Sequence, residues 1–154
     1  MMFSAVPKEA LDIVWGDVKK LLEPAVETAK GKMTLKDVYQ YIKKDIYSLW
    51  VVMEETKIVA VVTTRVIQYP ESRALALDFI GGKRMKHWLP KAQKVINKFA
   101  RDNGCRHLEG YGRKAWIRWG RRHGWKEDYT AFKMSYNGRR RRRTYRNKIY
   151  GYSD

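Results

Sequence analysis

The stretch from residue 106 to residue 125, RHLEGYGRKAWIRWGRRHGW, places aromatic rings beside arginines at close spacing. Such a mixture suits nucleic acids, because bases stack on aromatic faces while guanidinium groups bind phosphate oxygens. Trp116 and Trp119 would supply the rings, although tryptophans three apart on a helix equally predict a buried face. The arginines of the stretch that would bind an anion are Arg113, Arg118, Arg121 and Arg122.

The net charge of the chain is concentrated in its second half. The chain has 33 Lys and Arg against 16 Asp and Glu, a formal charge of +17. Residues 1–82 contain 11 basic and 11 acidic side chains, whereas residues 83–154 contain 22 basic and 5 acidic ones. A strong positive field favours association with phosphate backbones or acidic proteins. The alternative interpretation is a set of solvated basic faces.

The most basic segment is the C-terminal tail, which we place at residues 137–154 after a single domain over residues 1–136. A run of like charges repels itself too strongly to fold alone, and each arginine can make bidentate contacts with a phosphate or carboxylate. We expect the tail to bind nucleic acid or an acidic partner. Its binding residues would be Arg139, Arg140, Arg141, Arg142, Arg143 and Arg146.

Several classes of protein are excluded by residue types and spacing. Cys105 is the single cysteine, and three scattered histidines do not have zinc-site spacing, so we expect no disulfide and no metal. No apolar run reaches the roughly 18 residues that span a bilayer, and we expect a protein of the cell interior. No nucleophile elbow, Walker loop or Ser/His/Asp arrangement is present in the sequence.

Hydrophobic periodicity predicts the elements that would position these residues. In chain order they are a helix from Pro7, a helix from Thr34, strands over 49–53, 58–67 and 74–80, a helix over 85–103, a strand over 106–111, a helix over 114–123 and a strand over 129–136. We expect Ile46 to extend the apolar face of the second helix, and Ala115 to be buried beside the tryptophans of the last. The order predicts an α/β (α+β) domain with a mixed central sheet flanked by helices.

The order of these elements is accompanied by six short segments at matching spacing: 49–52, 58–62, 78–82, 100–105, 112–116 and 122–125. Together they resemble the GNAT (GCN5-related N-acetyltransferase) fold over residues 7–136. The chain is most similar to short GNAT-like proteins encoded among the structural genes of tailed bacteriophages and prophages. This likeness rests on order and spacing rather than on any one motif.

The resemblance implies a place for acetyl-CoA. In catalytic GNAT proteins the strand equivalent to residues 74–80 diverges from its neighbour, and the following loop binds the coenzyme A pyrophosphate on backbone N–H groups. Here that loop reads GGKRMK, without the family's Arg/Gln-x-x-Gly-x-Gly/Ala spacing, so the glycines would alternatively only end a strand or allow a bulge. The residues that would hold the cofactor are Phe79, Ile80, Gly81, Gly82, Lys83 and Arg84.

The family's usual general acid is missing. Many members place a tyrosine four residues before the glycine that ends the last helix, and that position is Gly120. Asp78 and Glu109 remain as candidate catalytic bases, since partial burial would raise a carboxyl pKa and suit it to accept a proton from an ammonium. The alternative is that each carboxylate faces solvent or pairs with arginine. We interpret His107 and His123 as packing or capping residues.

From these residues we expect a non-catalytic GNAT-fold phage virion or assembly protein, located in the virion or the host cytoplasm. Its partners would be other virion or assembly proteins, or DNA or RNA, bound through the basic half, with no cofactor. The alternative is an acetyl-CoA-dependent N-acetyltransferase with a degenerate active site.

Overall fold

The computed structural model of the chain describes residues 1–112 and 114–136 and contains one five-stranded sheet in these ranges. The strands lie in the order of the chain. They are β1 Met2–Val6, β2 Ser48–Glu54, β3 Lys57–Gln68, β4 Arg73–Gly82 and β5 His107–Gly110. The first four pair antiparallel, and β5 pairs parallel to β4, which requires a crossover between them.

Within the described ranges four helices accompany the sheet, close to their predicted positions. They are α1 Leu11–Glu27, α2 Leu35–Lys43, α3 Met85–Asp102 and α4 Lys114–Gly120, with single 3-10 turns over Lys8–Ala10 and Arg121–His123. The N-terminus of α2 has the predicted capping box, in which Thr34 and Asp37 each accept a backbone N–H of the other. α1 runs through Pro24 rather than ending there.

The helices cover two faces of the sheet, each with its own apolar core. We call them the α1 face, which α1 and α2 cover, and the α3 face. The core of the α1 face contains Leu11, Val18, Leu22, Val38, Leu49, Val61 and Phe79. The core of the α3 face contains Trp50, Val62, Leu75, Leu77, Trp88, Leu89 and Ile96, with Trp119 and Trp125 packed at its border. This arrangement confirms the predicted mixed sheet flanked by helices.

α1 crosses β4 so closely that the sheet needs glycine at the crossing point. A Cβ on Gly81 would overlap the backbone carbonyl of Leu21, and one on Gly82, whose φ is +119°, would overlap the carbonyl oxygen of Val59. Both glycines are therefore accounted for by backbone packing and by a positive φ.

The predicted last strand over residues 129–136 is wrong. No strand forms there, and the large side chains stay exposed: Tyr129 72%, Phe132 94%, Met134 83% and Tyr136 89%. Strand propensity expresses a local preference, but a strand forms only where an edge pairs with it. In the described part of the chain, β5 pairs with β4 and with no other strand.

Two smaller predictions are also wrong, and one strand was not predicted. β1 was not predicted, because its five residues depend on pairing with β2, which lies more than forty residues further along the chain. Ile46 lies beyond the end of α2 and is 43% exposed, since Asp45 has a positive φ that turns the chain away. Ala115 and Trp116 are exposed because the short α4 contacts the core through Trp119.

Candidate active site

An opening separates the second half of β4 from β5. The two strands pair over four positions, from Ala74 with His107 to Leu77 with Gly110, and β4 then continues to Gly82. Beyond Leu77, the edge of β4 that faces β5 meets no other strand among the residues that the structure describes. A backbone edge of five residues is thereby left open on the β5 side.

The opening begins at a β-bulge. Thr63 of β3 pairs with Phe79 and Thr64 pairs with Leu77, so Asp78 is the extra residue of β4. The N–H of Phe79 donates instead to the buried hydroxyl of Thr63 at 3.1 Å. Bulges re-aim side chains and increase local twist, which accounts for the divergence of β4 from β5 at this residue.

Glu109 lies beside the opening on the α1 face. Its neighbours Leu75, Leu77 and Leu108 all pack into the core of the α3 face. Because successive side chains of a strand point to opposite faces, Glu109 and its partner Ala76 point to the α1 face. The Glu109 side chain is 18% exposed to solvent.

Three donors surround the Glu109 carboxylate, and we call these four residues the Glu109 cluster. The hydroxyl of Tyr69 donates at 2.7 Å and that of Tyr111 at 2.7 Å, while His107 Nε2 lies 2.8 Å away. The cluster joins β5 and the residue after it to the loop that follows β3. Tyr69 and the Glu109 carboxylate that it contacts are 40 residues apart along the chain.

The cluster keeps Glu109 anionic. Burial alone would raise the pKa of the Glu109 carboxyl, but the three donors together outweigh it and hold that pKa below its ordinary value of 4.5. In turn, burial and the bond to Glu109 raise the pKa of Tyr111, and the same kind of bond raises that of Tyr69. The expected raised pKa of Glu109 is therefore wrong in direction: the site holds a fixed negative charge surrounded by protonated hydroxyls.

Asp78 forms an ion pair with Arg65. Nε of Arg65 donates to Asp78 Oδ2 at 2.8 Å and Nη2 donates to Oδ1 at 3.2 Å, with the Asp78 side chain 11% exposed. The nearby Tyr47 hydroxyl has its pKa raised to about 12, first by burial and then by the charge of Asp78. The alternative that each candidate carboxylate pairs with arginine therefore holds for Asp78. Glu109 is instead bound by two neutral hydroxyls and an imidazole.

The loop between β4 and α3 contains the residues that sequence analysis assigned to the cofactor. Phe79 packs in the core of the α1 face and Ile80 against that of the α3 face, so only their backbone faces the opening. Lys83 is exposed, and its carbonyl accepts the indole N–H of Trp88 at 2.9 Å. Arg84 has a φ of 59° and forms an ion pair with Glu54 at 3.1 Å.

The position of the missing tyrosine is filled by Trp125. Gly120 is buried, and a Cβ placed on it would lie 3.0 Å from the Cβ of Trp125. The backbone N–H of Trp125 donates to Gly120 O at 3.0 Å, and its indole donates to Gln93 of α3 at 2.8 Å. A side chain at position 120 would therefore require Trp125 to shift.

The histidines next to these elements differ from each other in role. The imidazole of His123 packs 4.2 Å from the ring of Trp119, in agreement with a packing role. His107 is instead exposed and belongs to the Glu109 cluster, which is contrary to expectation. Within the described residues, no group of three or more metal-binding side chains is found, and no helix is long and apolar enough to cross a membrane.

Exposed cations lie on α3 and on the residues of α4 and the 3-10 turn after it. Arg118, Arg121 and Arg122 are exposed, and their role in binding stays a prediction, while Arg113, Arg139, Arg140, Arg141, Arg142, Arg143 and Arg146 lie outside the described residues. A row of exposed cations on one side of α3, which we call the α3 stripe, was not predicted from the sequence. It consists of Lys91, Lys94, Lys98 and Arg101. Their spacing of three and four residues was the available signal.

No protein-family model matches this sequence, and no curated protein matches it. Solved structures do share its architecture. A GNAT family acetyltransferase from Staphylococcus aureus aligns with a TM-score of 0.61 and 14% identity, over 88% of this chain and 98% of that one. An aminoglycoside acetyltransferase from an uncultured soil metagenomic sample, in complex with sisomicin, aligns with a TM-score of 0.64 and 16% identity, over 88% of this chain and 96% of that one.

An aminoglycoside N-acetyltransferase in complex with CoA aligns with a TM-score of 0.64 and 13% identity, over 88% of this chain and 94% of that chain. At such low identities the likeness establishes the fold alone. The chain has the GNAT fold, as one domain with a five-stranded mixed sheet flanked by helices.

Proposed function

We propose that the protein is an acetyl-CoA-dependent N-acetyltransferase. The observation that carries this proposal is the opening between β4 and β5, with the anionic Glu109 beside it on the α1 face. Acetyltransferases with the same fold, one of them in complex with CoA, support it. The non-catalytic interpretation favoured by the missing tyrosine therefore becomes the second candidate.

The open edge of β4 fits the chemistry of acetyl-CoA. The cosubstrate carries an extended arm with two amide groups, and an exposed strand edge offers backbone donors and acceptors to such a chain. Beyond the edge, α3 begins at Met85, and helix N-termini favour phosphate groups. Lys83 and Lys86 are exposed at that end and add positive charge.

Glu109 would act on the acceptor amine. An amine must lose a proton to attack an acetyl group, and the Glu109 carboxylate is charged and partly exposed. Its lowered pKa makes it a weaker base than the raised pKa expected from the sequence, so its contribution rests on its position beside the opening. The hydroxyls of Tyr69 and Tyr111 hold the carboxylate in place. Acetyl-CoA supplies an activated thioester, whose thiolate leaves readily because a thiol is far more acidic than an alcohol or an amine. The absence of a tyrosine at position 120 is compatible with such a leaving group.

Calorimetric titration with acetyl-CoA tests the proposal. We expect micromolar binding, weakened at least about tenfold by Lys83→Glu combined with Lys86→Glu, because these charges face the phosphate groups. The matched control is Lys19→Glu with Lys20→Glu, two exposed lysines of α1. Absence of binding at millimolar acetyl-CoA, or an equal loss in both double variants, would contradict the proposal. Gly82→Glu is unsuitable, since it would disrupt the backbone at a positive φ.

A second candidate is a phage virion or assembly protein, located in the virion or the host cytoplasm, that binds nucleic acid or an acidic protein. We propose it because the α3 stripe and the three arginines of residues 118–122 together expose seven cations. Asp102, paired with Lys98 at 2.7 Å, is the acidic residue of α3. The likeness of the sequence to phage GNAT-like proteins supports the biological setting.

Filter binding with single-stranded DNA tests the basic surface. Lys91→Glu combined with Lys94→Glu should weaken affinity at least about tenfold at low salt and reduce the salt dependence, because fewer counterions are released. The α1 double variant named above serves again as the control. Equal affinity of the two double variants would show that the α3 stripe does not contribute to binding.

A further inference from the structure

A cavity lies at the end of the sheet opposite the opening between β4 and β5. The strands follow the order of the chain, so β1 and β2 are at one end of the sheet and β5 is at the other. The cavity has a volume of about 410 Å³ and is lined by residues of β1, β2 and the start of α3. Small-molecule pockets have volumes of roughly 300 to 1,000 Å³, so this cavity is large enough for a small ligand. It is separate from the opening where acetyl-CoA is proposed to bind.

The floor of this cavity is apolar. Phe3 of β1 stacks on Trp50 with ring centroids 5.2 Å apart and on Trp88 at 6.5 Å, with the ring planes within 10° of parallel. Val52, which lines the floor with Phe3 and Trp88, is fully buried. The indole N–H of Trp88 donates to the Lys83 carbonyl at 2.9 Å, so its one polar atom already has a partner. The floor therefore suits an apolar group and offers it no hydrogen bond.

The rim of the cavity is basic at one end and apolar at the other. Arg84, His87 and Lys91 line it, and all three are exposed. Val95 lines it one turn further along α3 and is 41% exposed. Residues three or four apart share one side of a helix, so these side chains form a single row that changes from charged to aliphatic along α3.

The positive charge of the rim is only partly neutralised. Nη1 of Arg84 donates to both carboxylate oxygens of Glu54, at 3.1 and 3.3 Å. Among residues 1–112 and 114–136, Nε and Nη2 of Arg84 have no acceptor, and neither His87 nor Lys91 forms an ion pair. An arginine can donate to two anions at once because its guanidinium has five N–H groups. An anionic group at this end of the cavity would therefore gain charge-assisted hydrogen bonds.

We propose that this cavity binds a small amphipathic anion of the class of medium-chain carboxylates. The carboxylate would lie beside Arg84 and Lys91, and the aliphatic chain would cover Phe3 and extend toward Val95. A neutral apolar molecule would leave the cations without a partner, and a small polar anion would leave the floor exposed to water. Only a ligand with one charged end and an apolar body matches both parts of the lining.

The test is a titration of the full-length protein with octanoate at physiological salt, below the concentration at which octanoate forms micelles, followed by backbone amide NMR shifts. Octanol keeps the chain and removes the charge, whereas acetate keeps the charge and removes the chain. The variants are Lys91→Glu and the matched control Lys94→Glu, which makes the same change of charge on the same helix but does not line the cavity. Both lysines are exposed, so the domain should fold in each variant.

The expected result is saturable octanoate binding that shifts the amides of residues 1–4, 51–53 and 84–95 more than any others. Octanol and acetate should each bind at least about tenfold more weakly, because each satisfies only one part of the lining. Lys91→Glu should weaken octanoate binding at least about fivefold and Lys94→Glu by less than about twofold, since salt screens a charge outside the cavity.

Three outcomes would overturn the proposal. The first is the absence of saturable binding at millimolar octanoate, and the second is a set of shifts confined to other surfaces, such as the opening between β4 and β5. The third is a lack of selectivity, in which octanol or acetate binds as tightly as octanoate or the two lysine variants weaken binding equally.

Discussion

Glu109→Gln is expected to lower kcat/KM for acetyl transfer by roughly 10² to 10³-fold while the affinity for acetyl-CoA stays within about twofold. Glutamine keeps the shape of the side chain but cannot accept a proton. Glu109 lies on the α1 face, away from the charged loop at the start of α3, so binding of the cosubstrate should not depend on it. Thiol release from acetyl-CoA, with spermidine and a lysine peptide as acceptors, measures the change.

Tyr69→Phe is the matched control for this substitution, because it removes one donor and keeps the carboxylate. We expect a loss of activity of only about two- to fivefold. The bond from Tyr69 lowers the pKa of Glu109, so its removal should raise that pKa and move the acid limb of the pH–rate profile to higher pH. Activity of Glu109→Gln equal to that of the wild type would exclude Glu109 as the base.

Gly81→Ala is expected to lower the free energy of unfolding by about 2 to 4 kcal/mol, because the added methyl group would overlap the Leu21 carbonyl and force α1 away from the sheet. Gly16→Ala, in the middle of α1 itself, is the control. Nothing lies within 4 Å of a Cβ at Gly16, so alanine should stabilise the protein by about 0.5 to 1 kcal/mol.

Urea unfolding measures the free energy of unfolding of both glycine variants. Because the two changes in that free energy have opposite signs, a systematic error in its absolute value does not affect the comparison. If Gly81→Ala is as stable as the wild type, then α1 does not approach β4 as closely as described. The glycines of the loop would in that case be free for another role.

Sequence predicted the helices and the central strands because their signals are local. α1 and α3 have long apolar faces at helical spacing, and Thr34 with Asp37 marks the start of α2. β1 and the segment 129–136 show the limit of such signals. Both are short: β1 pairs with an edge that is distant in the chain, whereas the segment 129–136 pairs with no strand in the described ranges.

The sequence predicted the candidate residues of the site but not their environments. Asp78 and Glu109 were named, but their different environments arise from tertiary contacts. Arg65 comes from β3, and Tyr69 is 40 residues from the carboxylate that it contacts. The direction of the Glu109 pKa shift depends on counting those donors, which periodicity cannot reveal. Similarly, the reason for glycine at position 81 lies in α1, sixty residues earlier.

The most direct measurement of the central claim is the map of backbone amide NMR shifts on addition of acetyl-CoA. The predicted result is that saturating acetyl-CoA shifts the amides of residues 78–86, along the open edge of β4 and the start of α3, more than any others. The amides of α1 should not move. Shifts confined to other surfaces, such as the α3 stripe, or no shifts at millimolar acetyl-CoA, would contradict acetyl transfer at this opening.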